Sequence, residues 1–128
     1  MSNLSDDTLR RILQQIQTQA VTSQRQLGLV RAQTQAKEKE RRILELTMRE
    51  LGTVPAGEGR MFRGVGKMFI EQPRAEINSK HEALKTSLSD DISSLQKKAK
   101  YLERQLEEAN SQLRDIFHSQ QREAARQS

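Results

Sequence analysis

Along the first half of the chain, one line of positions advances by alternating steps of three and four. It runs Leu13, Ile16, Ala20, Ser23, Leu27, Val30, Thr34, Lys37, Arg41, Leu44, Met48, Leu51. Eight of the twelve are apolar, and most of the residues between them are charged or amide-bearing. This spacing predicts an amphipathic helix with a coiled-coil seam, firm at both ends and weak at Thr34, Lys37 and Arg41. The helix start is marked as well. Ser5 can cap it, Asp6 and Asp7 place negative charge at the positive end of the dipole, and Leu4 and Leu9 have the spacing of a hydrophobic staple. Gly52 directly after Leu51, with Pro55 beyond, predicts the stop.

The second half carries a cleaner line: Ile77, His81, Leu84, Leu88, Ile92, Leu95, Ala99, Leu102, Leu106, Ala109, Leu113, Ile116, with only His81 polar. Two successive steps of four at Leu84, Leu88 and Ile92 form a stutter, which locally unwinds a left-handed supercoil. Pro73 suits the first turn of this helix. Each helix is expected to hold close to 47 residues, or roughly 70 Å at about 1.5 Å per residue. Matched lengths and a short connection predict two long antiparallel coiled-coil helices with both termini at one end. A parallel homodimer broken by a loop is the alternative, and the stop signals at Gly52 and Pro55 count against it. The expected organisation is one mainly α structural unit: residues 1–51 the first helix, 52–72 a connecting segment, 73–128 the second helix and tail.

The connecting segment interrupts this polar pattern with MFRGVGKMFI, Met61 to Ile70. TVPAGEG before it reads as loop. Met61 to Arg63 and Lys67 to Ile70 read as two short strands about a turn at Gly64 to Gly66. On a continuous alternation Phe62, Met68 and Ile70 fall on one apolar face with Gly64 and Gly66, while Met61, Val65 and Phe69 share the other with Arg63 and Lys67. A lone two-stranded ribbon is marginal in water and leaves both edges unpaired. Its completion by strands of other subunits, in a shared sheet or barrel, is therefore the expectation. The alternative is a hairpin folded down onto the helix ends.

Composition sharpens this reading. Hydrophobic residues make up 34% and aromatics 3%, too few for an ordinary compact core, so the apolar groups must lie in narrow seams that a partner helix covers. The net charge of +5 is spread thinly: residues 5–51 carry 9 basic against 6 acidic residues and residues 73–120 carry 8 of each. That is unlike the dense basic face of a nucleic-acid binder, and no such partner is expected. No apolar run approaches a membrane span, and MSNLSDD does not read as a signal peptide. With no Cys for a disulfide framework or thiolate site, a soluble cytoplasmic protein is the expectation.

Catalytic and cofactor chemistry finds no footing. Gly66-Lys67 is followed by Met, so it is no phosphate loop, and Gly64-Val65-Gly66 lacks the third Gly of a dinucleotide fingerprint. His81 and His118 are too far apart for a metal site, and His81 is expected at a partly solvated seam position. Asp90-Asp91 falls on helix surface without a nucleophile or base. KEKERR, Lys37 to Arg42, reads as a solvated helix face with intrahelical ion pairs. The tail HSQQREAARQS reads as fraying helix. No enzyme, metal or cofactor is expected.

Long heptad helix, hairpin and long heptad helix of equal length resemble the beta class of prefoldin subunits. The resemblance is most specific at GVGKMFI, Gly64 to Ile70, at Ile77 opening the second seam, and at KKAKYLERQLEEA, Lys97 to Ala109. Over the first helix it rests on pattern. It implies a heterohexamer of two alpha-class and four beta-class prefoldin subunits, with hairpins building an intersubunit β-barrel and coiled coils hanging from it. It also implies an ATP-independent chaperone that holds unfolded actin and tubulin at its tips and passes them to the cytosolic chaperonin. Met61, Phe62, Val65, Met68, Phe69 and Ile70, about the glycines Gly64 and Gly66, would then be assembly residues. At the end bearing the termini, Leu4, Leu9, Ile12, Leu13 and Ile16 on one helix and Leu113, Ile116 and Phe117 on the other are candidate client-binding residues. The first four described by more than one stripe, Leu9 to Ile16, are expected to include outward-pointing side chains, as is Phe117. Weak contacts at several tips would then add through effective concentration. The competing reading is a structural coiled-coil adaptor whose seams recruit fixed helical partners.

Overall fold

The computed structural model describes residues 5–55, 57 and 59–127. Helix α1 spans Asp6–Gly52 and helix α2 spans Arg74–Gln127. Between them, strands β1, Phe62–Val65, and β2, Met68–Glu71, form a two-stranded antiparallel sheet. The fold is two long helices and one β-hairpin. Among the described residues no helix is long and apolar enough to cross a membrane.

The start of α1 follows its capping residue. The Thr8 amide donates to Ser5 Oγ at 3.2 Å and the Leu9 amide to the Ser5 carbonyl at 3.0 Å, which satisfies donors left over in the first turn. The staple residue Leu4 lies outside the described residues. α2 starts one residue after Pro73, whose carbonyl receives the amides of Glu76 and Ile77. At its other end α2 continues through HSQQREAARQ, where fraying was expected, to 54 residues in all.

The chain divides into two compact units, Met1–Ala32 with Gln96–Ser128, and Gln33–Leu95. Each takes one stretch of each helix. In the first, Ile16, Leu27 and Val30 of α1 and Leu102 and Ala109 of α2 are buried along the predicted lines. Arg31 Nη2 reaches Glu103 Oε1 at 3.1 Å. Both side chains are half exposed or more, so this pair adds little to stability. Burial of the leucines does the holding, at roughly 1.5–3 kcal/mol for each fully covered side chain.

In the second unit the buried residues are Leu44 of α1 and Ile77, Leu88 and Ile92 of α2. Here the weak stretch of the first seam finds its partners. Lys37 Nζ lies 3.5 Å from Asp91 Oδ2, and Arg41 Nη1 donates to Ser89 Oγ at 3.5 Å. As residue numbers rise on α1 they fall on α2, so the pairing is antiparallel. The expectation of a solvated KEKERR face with intrahelical pairs is thus met only in part. Arg42 does pair along the helix, with Glu45 at 3.9 Å, but Lys37 and Arg41 are half-buried and reach across. Their long apolar stems cover the seam while the charged heads stay near water.

One contact ties the helix ends together. Arg74 donates from Nη1 to the Val54 carbonyl at 2.7 Å and from Nη2 to the Leu51 carbonyl at 3.0 Å. A cation in the first turn of α2 opposes that helix's dipole. Its placement makes sense because it binds the Leu51 carbonyl at the end of α1 and the Val54 carbonyl just beyond it instead. Arg74→Ala leaves those partly buried acceptors without it, and we expect a loss of about 2 kcal/mol in urea unfolding followed by circular dichroism. Arg74→Lys, which lacks the two-pronged fork, should recover less than half of it.

Candidate functional site

The hairpin turns on two residues, Gly66 and Lys67, because Val65 pairs with Met68. Gly66 has φ +62°, and among the described residues none other than glycine has positive φ. One left-handed residue at the first central position is the signature of a type II′ turn, whose twist suits the flanking strands. Gly64 is therefore inside β1 and outside the turn where the sequence had placed it. A β-carbon built on it would stand 3.7 Å from Phe69 Cε1, so the Phe69 ring lies over this bare stretch of backbone.

This register changes the faces. A two-residue turn puts paired residues on one side, so even positions of β1 join odd positions of β2. Phe62, Gly64, Phe69 and Glu71 share one face, and Arg63, Val65, Met68 and Ile70 share the other. The expected single apolar face of Phe62, Met68 and Ile70 is corrected: each face carries its own apolar group. These groups are open to solvent. Phe69 is 76% exposed and Met68 71%, and Phe62, Val65 and Ile70 are each half exposed. Met61, just before β1, is half-buried.

The edges follow from the same pairing. The Gln72 amide donates to the Met61 carbonyl at 2.9 Å, which makes 61 and 72, 63 and 70, and 65 and 68 the hydrogen-bonded pairs. The backbone groups of Phe62 and Gly64 then point outward from β1, and those of Phe69 and Glu71 from β2. Both edges can accept a further strand.

An ion pair closes the base of the hairpin. Arg60 donates from Nε and Nη2 to the two Glu71 carboxylate oxygens at 2.9 and 2.6 Å, and its guanidinium sits 5.7 Å from the centre of the Phe62 ring. The hydrogen bonds from Arg60, helped by its charge, hold the Glu71 carboxyl below the usual carboxylate range and raise Arg60 in turn. Because the folded Glu71 is the more acidic, its contribution is complete above the usual Glu range and disappears as pH falls through the lowered value. Backbone amide signals of β1 and β2 should therefore broaden or shift at acid pH before α1 and α2 lose helix content. In Glu71→Gln that early step should be absent.

Beneath the Phe62 and Phe69 face lies an open hollow of about 1050 Å³, wholly within the second unit. Leu51, Val54, Phe62, Phe69, Ile77 and Leu84 provide its apolar wall. Leu84 was expected in the second seam, yet it is 44% exposed. Lys85 beside it is half-buried, and Ile77, nearer the hairpin, is buried, so at the stutter the contact line passes through Lys85 and leaves Leu84 to one side. His81 also lines the hollow; it is half-buried, and its Nδ1 is enclosed without a hydrogen-bond partner among the described residues.

The candidate client residues lie in the first unit. Ile16 is buried, Leu9, Ile12, Leu13, Leu113 and Ile116 are half-buried, and Leu4 is outside the described residues. No side chain from Leu9 to Ile16 among these points fully outward, contrary to expectation, whereas Phe117 is 65% exposed. Exposed apolar groups off the seam, Val21, Leu29 and Tyr101, were not anticipated. Their signal in the sequence is the apolar residue that the seam spacing does not absorb. Arg60, Glu71 and Arg74 were missed as well. Of these only Arg74 was detectable, as a cation at the wrong end of a helix.

This architecture is shared with known proteins. The family model described as prefoldin subunit matches residues 14–120. Probable prefoldin subunit 1 of Schizosaccharomyces pombe is 37% identical over 112 residues, 87% of this chain and 98% of that protein. Prefoldin subunit 1 of Homo sapiens is 28% identical over 112 residues, 88% of this chain and 91% of that one. The prefoldin beta subunit from Thermococcus strain KS-1 superposes with a TM-score of 0.76 at 20% identity, over 91% of this chain and 96% of that structure, a likeness of fold. The match spans the first seam from Ile16 onward, the hairpin and the whole of the second seam, and the chain belongs to the prefoldin subunit family.

Proposed function

We propose that the chain is a beta-class subunit of a heterohexameric, ATP-independent chaperone that captures unfolded proteins such as actin and tubulin and delivers them to the cytosolic chaperonin. The observation that carries the reading is the hairpin. It holds five exposed apolar side chains on two faces and two unpaired edges, a surface that water disfavours and that strands from neighbouring subunits would cover. Closure into a barrel removes such edges altogether. The names of the relatives support assembly with other prefoldin subunits.

In this reading the chain acts in the cytoplasm and performs no catalysis. Clients are held by apolar side chains of the first unit, where Val21, Leu29, Tyr101 and Phe117 are exposed. Each contact is weak and unselective, and several tentacles acting on one client add their effects. Native mass spectrometry of the protein drawn from its source should find a hetero-oligomer of six chains of similar size. That assembly should suppress aggregation of denatured actin without nucleotide. A stable monomer or homodimer would oppose the proposal directly.

A further inference from the structure

We propose that α2 carries, around Tyr101, a docking site for an acidic polypeptide segment that brings neighbouring carboxylates beside an apolar side chain. The site lies wholly in the first unit, away from the hairpin. It goes beyond unselective apolar contact by giving this unit a preference of charge, and it stands whether or not the chain assembles.

The stretch KKAKYLER, Lys97 to Arg104, holds four cations and one anion. That anion, Glu103, reaches across to Arg31 of α1 at 3.1 Å. Lys97, Lys98, Lys100 and Arg104 are exposed and take part in no ion pair among the described residues. Three of them surround one ring. Lys97 and Lys98 stand four and three residues before Tyr101, and Arg104 stands three after it, the separations at which side chains are neighbours on a helix surface. The remaining neighbour is Gln105, whose Nε2 donates to the Tyr101 hydroxyl at 2.8 Å. That bond anchors the tip of the ring and leaves Tyr101 60% exposed. Lys97 with Lys100, and Lys100 with Arg104, are like-charge pairs that weaken the isolated helix. An acidic partner relieves that repulsion.

The apolar part of the site is completed from α1. Arg31 and Glu103 each follow a buried residue, Val30 and Leu102, and they meet on one flank of the helix pair. Leu29 and Tyr101 each precede those same two residues, so they share the opposite flank. Leu29 is 61% exposed. An apolar side chain seated between it and the Tyr101 ring would hold its own acidic neighbours beside Lys97, Lys98 and Arg104. A nucleic-acid strand would also seek these cations, but Glu107 and Glu108 stand exposed one turn beyond Arg104, where a continuous phosphate chain would have to pass. The basic stretch spans only about 12 Å of helix, a length that suits a short peptide segment.

Tyr101 is the single tyrosine of a chain without Trp, so the tyrosine emission of the full chain reports on this site alone. The probe is a short peptide with one Leu flanked by pairs of Glu and no aromatic residue. Emission should change saturably as the peptide is added, and salt should weaken the binding. Lys97→Gln with Arg104→Gln should weaken it about tenfold, as should Gln for Glu in the peptide. Arg114→Gln with Arg122→Gln removes the same charge from the same helix and should leave binding unchanged. All four side chains are exposed, so both variants should keep wild-type helix content. Equal weakening by the two double variants would reduce the effect to net charge and sink the site. An oligothymidylate of matching charge that displaces the peptide at lower concentration would reveal a nucleic-acid surface, contrary to the proposal. Unchanged binding when the peptide's Leu becomes Ser would remove Leu29 and Tyr101 from the site. Tyrosine emission that never responds to the peptide would overturn the proposal outright, with the assembly reading untouched.

Discussion

Replacing Phe69 and Ile70 together by Ser is expected to release the subunit from its assembly, weakening incorporation about a hundredfold or more, with helix content unchanged. Phe69 is 76% exposed in the single chain and Ile70 53%, so the chain itself gains little from burying them. In a joint between subunits both would be covered, and each large apolar side chain fully covered contributes roughly 1.5–3 kcal/mol. Counting only their exposed shares, the pair therefore accounts for about 2–4 kcal/mol of association, against a cost to the isolated chain near that of any surface change. The register separates the two contributions. Phe69 lies on the face above the hollow and Ile70 on the opposite face with Val65 and Met68, so the single variants weigh the two faces one at a time. Native mass spectrometry of the mixed subunits, with far-ultraviolet circular dichroism of the variant alone, provides the check. Full retention in the complex would mean that the hairpin is not where subunits meet.

Most of the fold could be read from the chain because its decisive signals are local. Ser5 caps the helix it precedes, Gly52 ends it, and the periodic lines of apolar residues predict which positions meet inside. Every residue of the first line is buried or half-buried, and so is every residue of the second except Leu84. The misreadings fall where a position's environment is decided elsewhere in the chain. Whether Lys37 and Arg41 weaken the seam depends on Asp91 and Ser89, some fifty residues away. Leu84 depends on which side of the stutter α1 packs against, and it packs against the side of Lys85.

The faces of the hairpin failed for a smaller reason. GVGKM offers two glycines, and a turn at Gly64 to Gly66 and one at Gly66-Lys67 both satisfy the turn chemistry that sequence can show. The two-residue turn needs a single left-handed residue, which Gly66 provides, and it matches the twist of the strands. A shift in the turn then exchanges the faces of the whole second strand. That Met61 to Ile70 is an exposed apolar ribbon was legible from composition alone, since any register leaves this many large side chains on two strands without a core.

Leu88→Ala is expected to cost about 3 kcal/mol of stability, while Leu84→Ala, four residues earlier on the same helix, costs under about 1 kcal/mol. The sequence treats the two as equivalent, both apolar, both on one line and both at the stutter. Burial does not. Leu88 is 2% exposed and the largest fully enclosed side chain among those described, whereas Leu84 is 44% exposed. Truncating Leu88 removes its packing and leaves a cavity that two long helices cannot close without shifting along their whole contact. Truncating Leu84 only widens an existing hollow, and alanine's higher helix propensity offsets part of the loss. Assembly should reverse the order of interest: per unit of lost stability, Leu84→Ala should weaken incorporation far more than Leu88→Ala, because Leu84 lines the hollow beneath the hairpin through which assembly is proposed. Urea unfolding by circular dichroism gives the first comparison and incorporation into the hetero-oligomer the second. Equal destabilisation by the two substitutions would mean that Leu84 packs within the chain as tightly as Leu88, and the hollow would then have no unfinished wall for a partner to complete.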